Sequence, residues 1–178
     1  MKYKIAILSG DGIGPEIMRE AIRILNGIGL KFGHEFDLGE ELIGGAAWEV
    51  YKNHFPDETK KICEKSDAIL FGSVGGPVSE QAQEKWKNCE TNSILGIRKQ
   101  FNLNVNLRPA KAYKQLKDSS FLRADIVEKG IDILCVRELS QDIYFGEHKT
   151  EIKDGLKVAT DVMTYDEECI EMVAHVAF

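Results

Sequence analysis

The sequence is poor in cysteine and proline, carries fewer positive than negative charges, and has no long apolar run. Its four cysteines, Cys63, Cys89, Cys135 and Cys169, stand far apart, with no CxxC and no Cys/His pair at zinc-ligand spacing. That argues against a disulfide framework and for reduced thiols in a cytoplasmic protein. No stretch approaches the roughly 20 apolar residues needed to cross a bilayer, so no membrane partner is expected. The opening segment, Met1 to Gly10, stops being apolar after about four positions and is not expected to act as a signal peptide. With 23 Lys+Arg against 29 Asp+Glu the formal charge is −6, which argues against nucleic acid as the main partner. Two nucleotide motifs are missing. There is no Gly-Lys-Ser/Thr, and G-x-G-x-x-G begun at Gly10 meets Pro15, while begun at Gly12 it meets Ile17. What is present is a chain of 178 residues, 43% hydrophobic and 29% charged, long enough to bury a core and without repeats or low-complexity tracts.

Lys4 to Leu8 reads as a buried strand, followed by the glycine turn Gly10 to Glu16 and a helix with Pro15 in its first turn. Ile17, Ala21, Ile24, Leu25 and Ile28 recur at helical spacing, and Gly29 to Gly33 ends the run. His34 to Ile43 reads as extended, Ala46 to Tyr51 as helix, and Asp57 as the N-cap of a further helix. Asp67 to Phe71 is a second buried strand closing in Gly72 to Pro77. Strands alternating with helices, with glycine turns after the strands, predict an α/β fold with a largely parallel sheet. Beyond it the pattern predicts a loop or short helix over Val78–Asn92 and a helix over Ser93–Phe101. Val105–Arg108 reads as a strand stopped by Pro109, and Phe121–Lys129 as a helix. Strands are expected over Ile131–Glu138 and Asp142–Gly146, a charged loop over Glu147–Gly155, and a helix opening at Asp166.

Both glycine turns sit where ligands of α/β sheets bind: Gly10 to Glu16 can cradle an anion, and Gly75-Gly76 lets a planar group approach the backbone. Each also reads as a plain tight turn. The sharpest chemical hint is Arg98, Arg108 and Arg137. Arg108 and Arg137 lie in apolar strand runs, where an unpaired charge is costly, so they need an internal carboxylate or an anionic ligand. Three such arginines near predicted strand ends suggest a pocket for a substrate with several carboxylates. Tyr144, in the short run after the arginine strand, reads first as a core residue. The histidines His34, His54, His148 and His175 read as surface or loop residues.

Taken in order, Ile7 to Glu16, Phe71 to Pro77, Arg98-Lys99, Asn106 to Lys111, Asp132 to Leu139 and Ile143 to Glu147 resemble the 3-isopropylmalate dehydrogenase family of β-decarboxylating dehydrogenases. The resemblance covers essentially the whole chain. It implies α/β/α layers with a mostly parallel sheet, truncated so that both domains are incomplete. Residues 1–102 would open the NAD-side domain, and 103–178 would open the second, substrate and dimer domain. It also implies a cytoplasmic homodimer acting in leucine biosynthesis, with NAD and Mg2+ or Mn2+ as cofactors. The metal ligands are expected outside this chain, which alone would be inactive.

By the resemblance, Arg98, Arg108 and Arg137 bind a small dicarboxylate, and Tyr144 protonates the enol left after decarboxylation. Ile13, Gly75, Gly76, Pro77 and Glu90 line the NAD site, and Ile94 and Leu95 meet an apolar substituent of the substrate. Tartrate, malate or homoisocitrate relatives share the chemistry, and a non-catalytic half that binds an anion or a partner chain is a third possibility. Two departures stand out: Val78–Asn92 lacks the family's Trp-Asp, and Ser140-Gln141-Asp142 replaces its Thr-Gly-Gly.

Overall fold

A computed structural model describes residues 1–178, apart from the side chain of Lys114. The chain forms two compact units, Met1–Ile97 and Arg98–Phe178, where the sequence reading changes domain between 102 and 103.

The first unit is built on three parallel strands, β1 (Lys2–Gly10), β2 (Glu35–Glu40) and β3 (Ala68–Ser73), in the order β2-β1-β3. β1 is central, with Ile5 opposite Leu38 on one side and Ala68 on the other. That position explains its uninterrupted apolar run, and Ala6, Ile7 and Leu8 are at most 1% exposed. Parallel neighbours require crossovers. α1 (Gly14–Phe32) supplies the first, and α2 (Gly45–Tyr51) and α3 (Asp57–Glu64) the second. Pro15 does fall in the first turn of α1, which ends at Gly33 with φ +71°. The apolar stripe of α1, including Ala21, Ile24, Leu25 and Ile28, faces Ile5, Ala68, Ile69 and Leu70 across an open groove of about 250 Å³. Asp57 is not an N-cap as expected: Pro56 holds that position, and Asp57 pairs with Lys60 at 2.8 Å, where an acid favours the helix dipole. His54 does lie in a loop, between α2 and α3, but it is buried there, its Nε2 within 2.7 Å of the Lys85 carbonyl and its ring stacked on Trp48.

The second unit holds two antiparallel pairs, β4 (Val105–Lys111) with β5 (Asp132–Glu138), and β6 (His148–Lys153) with β7 (Leu156–Asp161). α4 (Gly96–Gln100) precedes β4, the short α5 (Ala124–Val127) lies between β4 and β5, and α6 (Glu167–Ala177) packs on β5. Several expectations are corrected here. β4 continues through Pro109, because both strands of a two-stranded ribbon are edges where proline is tolerated. The Phe121–Lys129 helix contracts to α5. Asp142–Gly146 is a turn, not a strand: Asp142 has φ +76° and its carbonyl accepts from the Phe145 N–H. The expected loop at Glu147–Gly155 is β6 and the turn into β7, made at Asp154 (φ +51°) and Gly155 (φ +78°). Asp166 does cap α6, accepting from the Cys169 N–H at 2.8 Å.

Candidate functional site

In the first unit the chemistry-bearing residues gather where β1 and β3 end. The two strand exits are tied directly: Asp11 N–H donates to the Ser73 carbonyl at 2.7 Å, and Ser73 Oγ donates to the Asp11 carbonyl at 2.8 Å. Gly75 has φ +116°, a backbone that glycine alone adopts freely. The only atom within 4 Å of where its Cβ would stand is Glu90 Oε1, at 3.5 Å. Gly12 is equally open, and Ile13 beside it is 60% exposed. Gly75, Glu90 and the Gly12-Ile13 turn therefore leave an accessible surface at the C-terminal ends of parallel strands, where α/β sheets take ligands. Gly76 differs. A Cβ there would lie 2.1 Å from Trp86 Cε2, so the planar group against this glycine is the protein's own indole. Pro77 opens the following 3₁₀ turn, Val78–Glu80. Ile94 and Leu95 lie half-buried in the π-turn Thr91–Leu95.

In the second unit the arginines are drawn together by the β4–β5 register. Arg108 stands opposite Cys135, and Asn106 opposite Arg137. Partners across an antiparallel pair share a face, as do residues two apart along a strand, so these four side chains occupy one face of the ribbon. Arg108 is exposed and Arg137 half-buried, so neither is embedded as a buried charge in an apolar strand. Arg98 joins them from α4 instead of from a strand end. Burial first, then the positive charge of Arg137, lowers the pKa of Arg98, with Tyr144 opposing and Arg108 adding a weaker push. Among the described residues, none of these three guanidinium groups has a carboxylate within ion-pair distance. The Arg137 Cζ lies 5.7 Å from the centroid of the Tyr144 ring, which is 50% exposed. Arg98 also lines a recess of about 270 Å³ with Lys99, Asn102, Leu139, Ser140 and Phe145. Like charges held near one another without counter-charges raise the local positive potential.

The sequence reading missed Asp11 as an organiser of the first cluster, although its place inside the glycine turn was a signal. It also missed Asn106 and Cys135, which only the strand register puts beside the arginines.

The departure at Ser140-Gln141-Asp142 is accommodated by local bonds. The Ser140 N–H and Oγ donate to the Glu138 carboxylate, and Gln141 exchanges bonds with Asp166, accepting from the Asp166 N–H at 2.8 Å. Asp142 N–H reaches the Thr164 carbonyl at 3.3 Å. The Tyr144 turn is thus fastened to the segment leading into α6.

The parallel sheet with glycine loops at its strand ends makes the first unit an α/β fold, and the second unit carries three arginines without an ion-pair partner among the described residues. Residues 4–178 match the isocitrate/isopropylmalate dehydrogenase family, and the chain belongs to that family of decarboxylating dehydrogenases. It is 48% identical over 182 residues to a 3-isopropylmalate dehydrogenase from Campylobacter jejuni, covering 99% of this chain and 48% of that one. A 3-isopropylmalate dehydrogenase from Haemophilus influenzae is 47% identical over 183 residues, covering 99% and 49%. Among solved structures, a beta-decarboxylating dehydrogenase from Thermococcus kodakarensis superposes with TM-score 0.63 at 28% identity, over 98% of this chain and 44% of that one. An isocitrate dehydrogenase from Methylococcus capsulatus, at 23% identity, shares the fold with TM-score 0.72 over 98% and 46%. The chain spans about half the length of the curated relatives it matches.

Proposed function

We propose that this chain carries the substrate arginines and the dinucleotide loop of an NAD-dependent oxidative decarboxylation of 3-isopropylmalate to 4-methyl-2-oxopentanoate. The observation that supports this reading best is the grouping of Arg98, Arg108 and Arg137 without a carboxylate partner, beside Tyr144. A malate bears two carboxylates, and paired N–H bonds from arginine suit them. Tyr144 Oη is the proton donor to the carbon that has lost its carboxylate. Ile94 and Leu95 are the residues for the isopropyl group, an apolar preference worth about 1–3 kcal/mol.

The open backbone at Gly75, with Glu90 beside it and Ile13 exposed, fits a dinucleotide, which when bound supplies the hydride acceptor for the C2 alcohol. The residues present do not fit a divalent ion. Among the described residues no group of three or more His, Cys, Asp and Glu could hold one. For that reason the chain by itself is proposed to bind substrate without turning it over.

Saturation-transfer NMR with 3-isopropylmalate tests the reading. The diacid should show contact with the chain, and its monomethyl ester should show at least tenfold less. Equal signals from both would contradict carboxylate recognition by several arginines.

A further inference from the structure

Asp11 is 7% exposed, yet among the described residues no cationic group stands within ion-pair distance of its carboxylate. Its charge is met mainly by backbone N–H groups, with the Cys89 thiol a weaker donor to Oδ2 at 3.9 Å. Oδ2 accepts from the Gly45 N–H at 2.8 Å and from the Gly75 N–H at 3.1 Å, and Oδ1 accepts from the Ala46 N–H at 2.7 Å. Gly45 and Ala46 open α2, where the unpaired N–H groups of a helix start favour an anion. One buried carboxylate thus binds the exit of β1, the start of α2 and the loop after β3 into one body. The local sequence is shaped around it. A Cβ on Gly44 (φ +71°) would stand 2.3 Å from Asp11 Oδ2, so that position must be glycine. Trp86 lies over the same body, against Gly45 and Gly76, where a Cβ would meet its ring at 2.2 and 2.1 Å.

We propose that Asp11 is a positioning residue that holds Gly75 and its loop in the shape to which the dinucleotide binds; this rests on the dinucleotide reading above. Asp11 does not touch the ligand. Its oxygens are occupied by three N–H groups and the Cys89 thiol, and it is shut from solvent, which suits neither a general base nor a metal ligand. Both oxygens must accept. Asparagine is nearly isosteric but offers one acceptor oxygen and turns an NH2 toward amides that also donate. A buried donor facing donors loses the bond and carries the desolvation cost as well.

The test uses the whole 178-residue chain, ¹⁵N-labelled, as Trp48→Phe so that Trp86 is the one remaining tryptophan of the two. In Asp11→Asn, exchange of the Gly45, Ala46 and Gly75 amides should accelerate at least tenfold, while those of Ala6, Ile7 and Leu8 in β1 stay as protected as before. NAD affinity, read from Trp86 fluorescence, should fall at least tenfold. If β1 also loses protection, Gly75→Ala decides. Its Cβ meets only Glu90 Oε1, and the strain at φ +116° should speed exchange at Gly75 alone and weaken NAD equally. Unchanged amide protection in Asp11→Asn, or unchanged NAD affinity in either variant, would overturn the proposal. Failure of the unsubstituted chain to bind NAD would instead overturn the dinucleotide reading and with it a positioning role toward that ligand. The amide exchange would still show whether Asp11 holds the loops.

Discussion

The guanidinium of Arg137 lies over the ring of Tyr144, 5.7 Å from its centroid, on the ribbon face that also carries Arg108. The contact joins a cation of the proposed carboxylate site to the proposed proton donor. Each tunes the other's orientation through the attraction between a cation and a ring face. Removing the charge and removing the hydroxyl should therefore have different consequences. Arg137→Ala should weaken binding of 3-isopropylmalate at least tenfold, as expected for losing about 1.5–3 kcal/mol of charge-assisted bonding. Tyr144→Phe keeps the ring and should leave binding within about twofold, since a factor of two is only about 0.4 kcal/mol. Calorimetry on the two variants distinguishes these outcomes.

Thiol chemistry gives an independent view of the arginine face. Burial pushes the Cys63 and Cys89 thiols up to about 11, and Cys169 is raised by burial as well. Cys135 alone of the four is exposed, and it stands opposite Arg108. At about pH 8 iodoacetamide should modify Cys135 first, because the other three thiols are buried and this one is open to the reagent. A dicarboxylate seated on Arg108 and Arg137 should slow that reaction several-fold. Peptide mass mapping with and without 3-isopropylmalate measures both effects.

How far the sequence announced this structure depends on what each pattern encodes. The parallel sheet was legible because β1 is buried on both faces, which demands a continuous apolar run, and because glycine turns mark the strand exits. The β6–β7 hairpin was not read. β6 (His148–Lys153) holds a single apolar residue, Ile152, and both strands are largely exposed, so no alternation marks a buried face, and only Asp154-Gly155 signals the turn. The Asp142–Gly146 run looked like a strand because Ile143, Tyr144 and Phe145 are apolar and aromatic, yet Asp142 adopts φ +76° and bends the chain there. For the site, residue type points to the arginines, but burial in apolar strands is not what sets them apart. Arg108 is exposed, and what groups it with Arg137 is strand register, which no short motif contains. Asp11 was hidden for a similar reason: two of its three amide partners lie more than thirty positions away in sequence and the third more than sixty.

The hairpin turn offers a clean stability test. Gly155 has φ +78° with nothing within 4 Å of its Cβ position, so alanine there meets no clash and only backbone strain. Gly155→Ala should destabilise the β6–β7 pair by about 1–2 kcal/mol. Amide exchange in β6 and β7 should accelerate accordingly, and that in β1 should not.

Acid sensitivity should localise to the Tyr144 turn. Burial tends to raise the Glu138 carboxyl, but hydrogen bonds from Ser140, with further ones from Cys169 and the Gln141 N–H, outweigh it and hold its pKa below the ordinary 4.5. A depressed carboxylate contributes stability that is complete above its ordinary value and is lost as pH falls through its folded value. Between about pH 5 and pH 3 the unsubstituted chain should therefore lose more stability than Glu138→Gln, which has no proton to gain. Urea unfolding at several pH values gives the two slopes, and parallel slopes would contradict the assignment.

The central claim is that Arg98, Arg108 and Arg137 act together as one receptor for a dicarboxylate. Isothermal titration of the 178-residue chain with 3-isopropylmalate tests it most directly, alongside Arg98→Ala, Arg108→Ala and Arg137→Ala separately and combined. The account predicts saturable one-to-one binding, at least tenfold weaker in each single variant, with losses that do not simply add because the residues share one ligand. Absence of saturable heat from the unsubstituted chain, or affinity retained when all three arginines are gone, would contradict it.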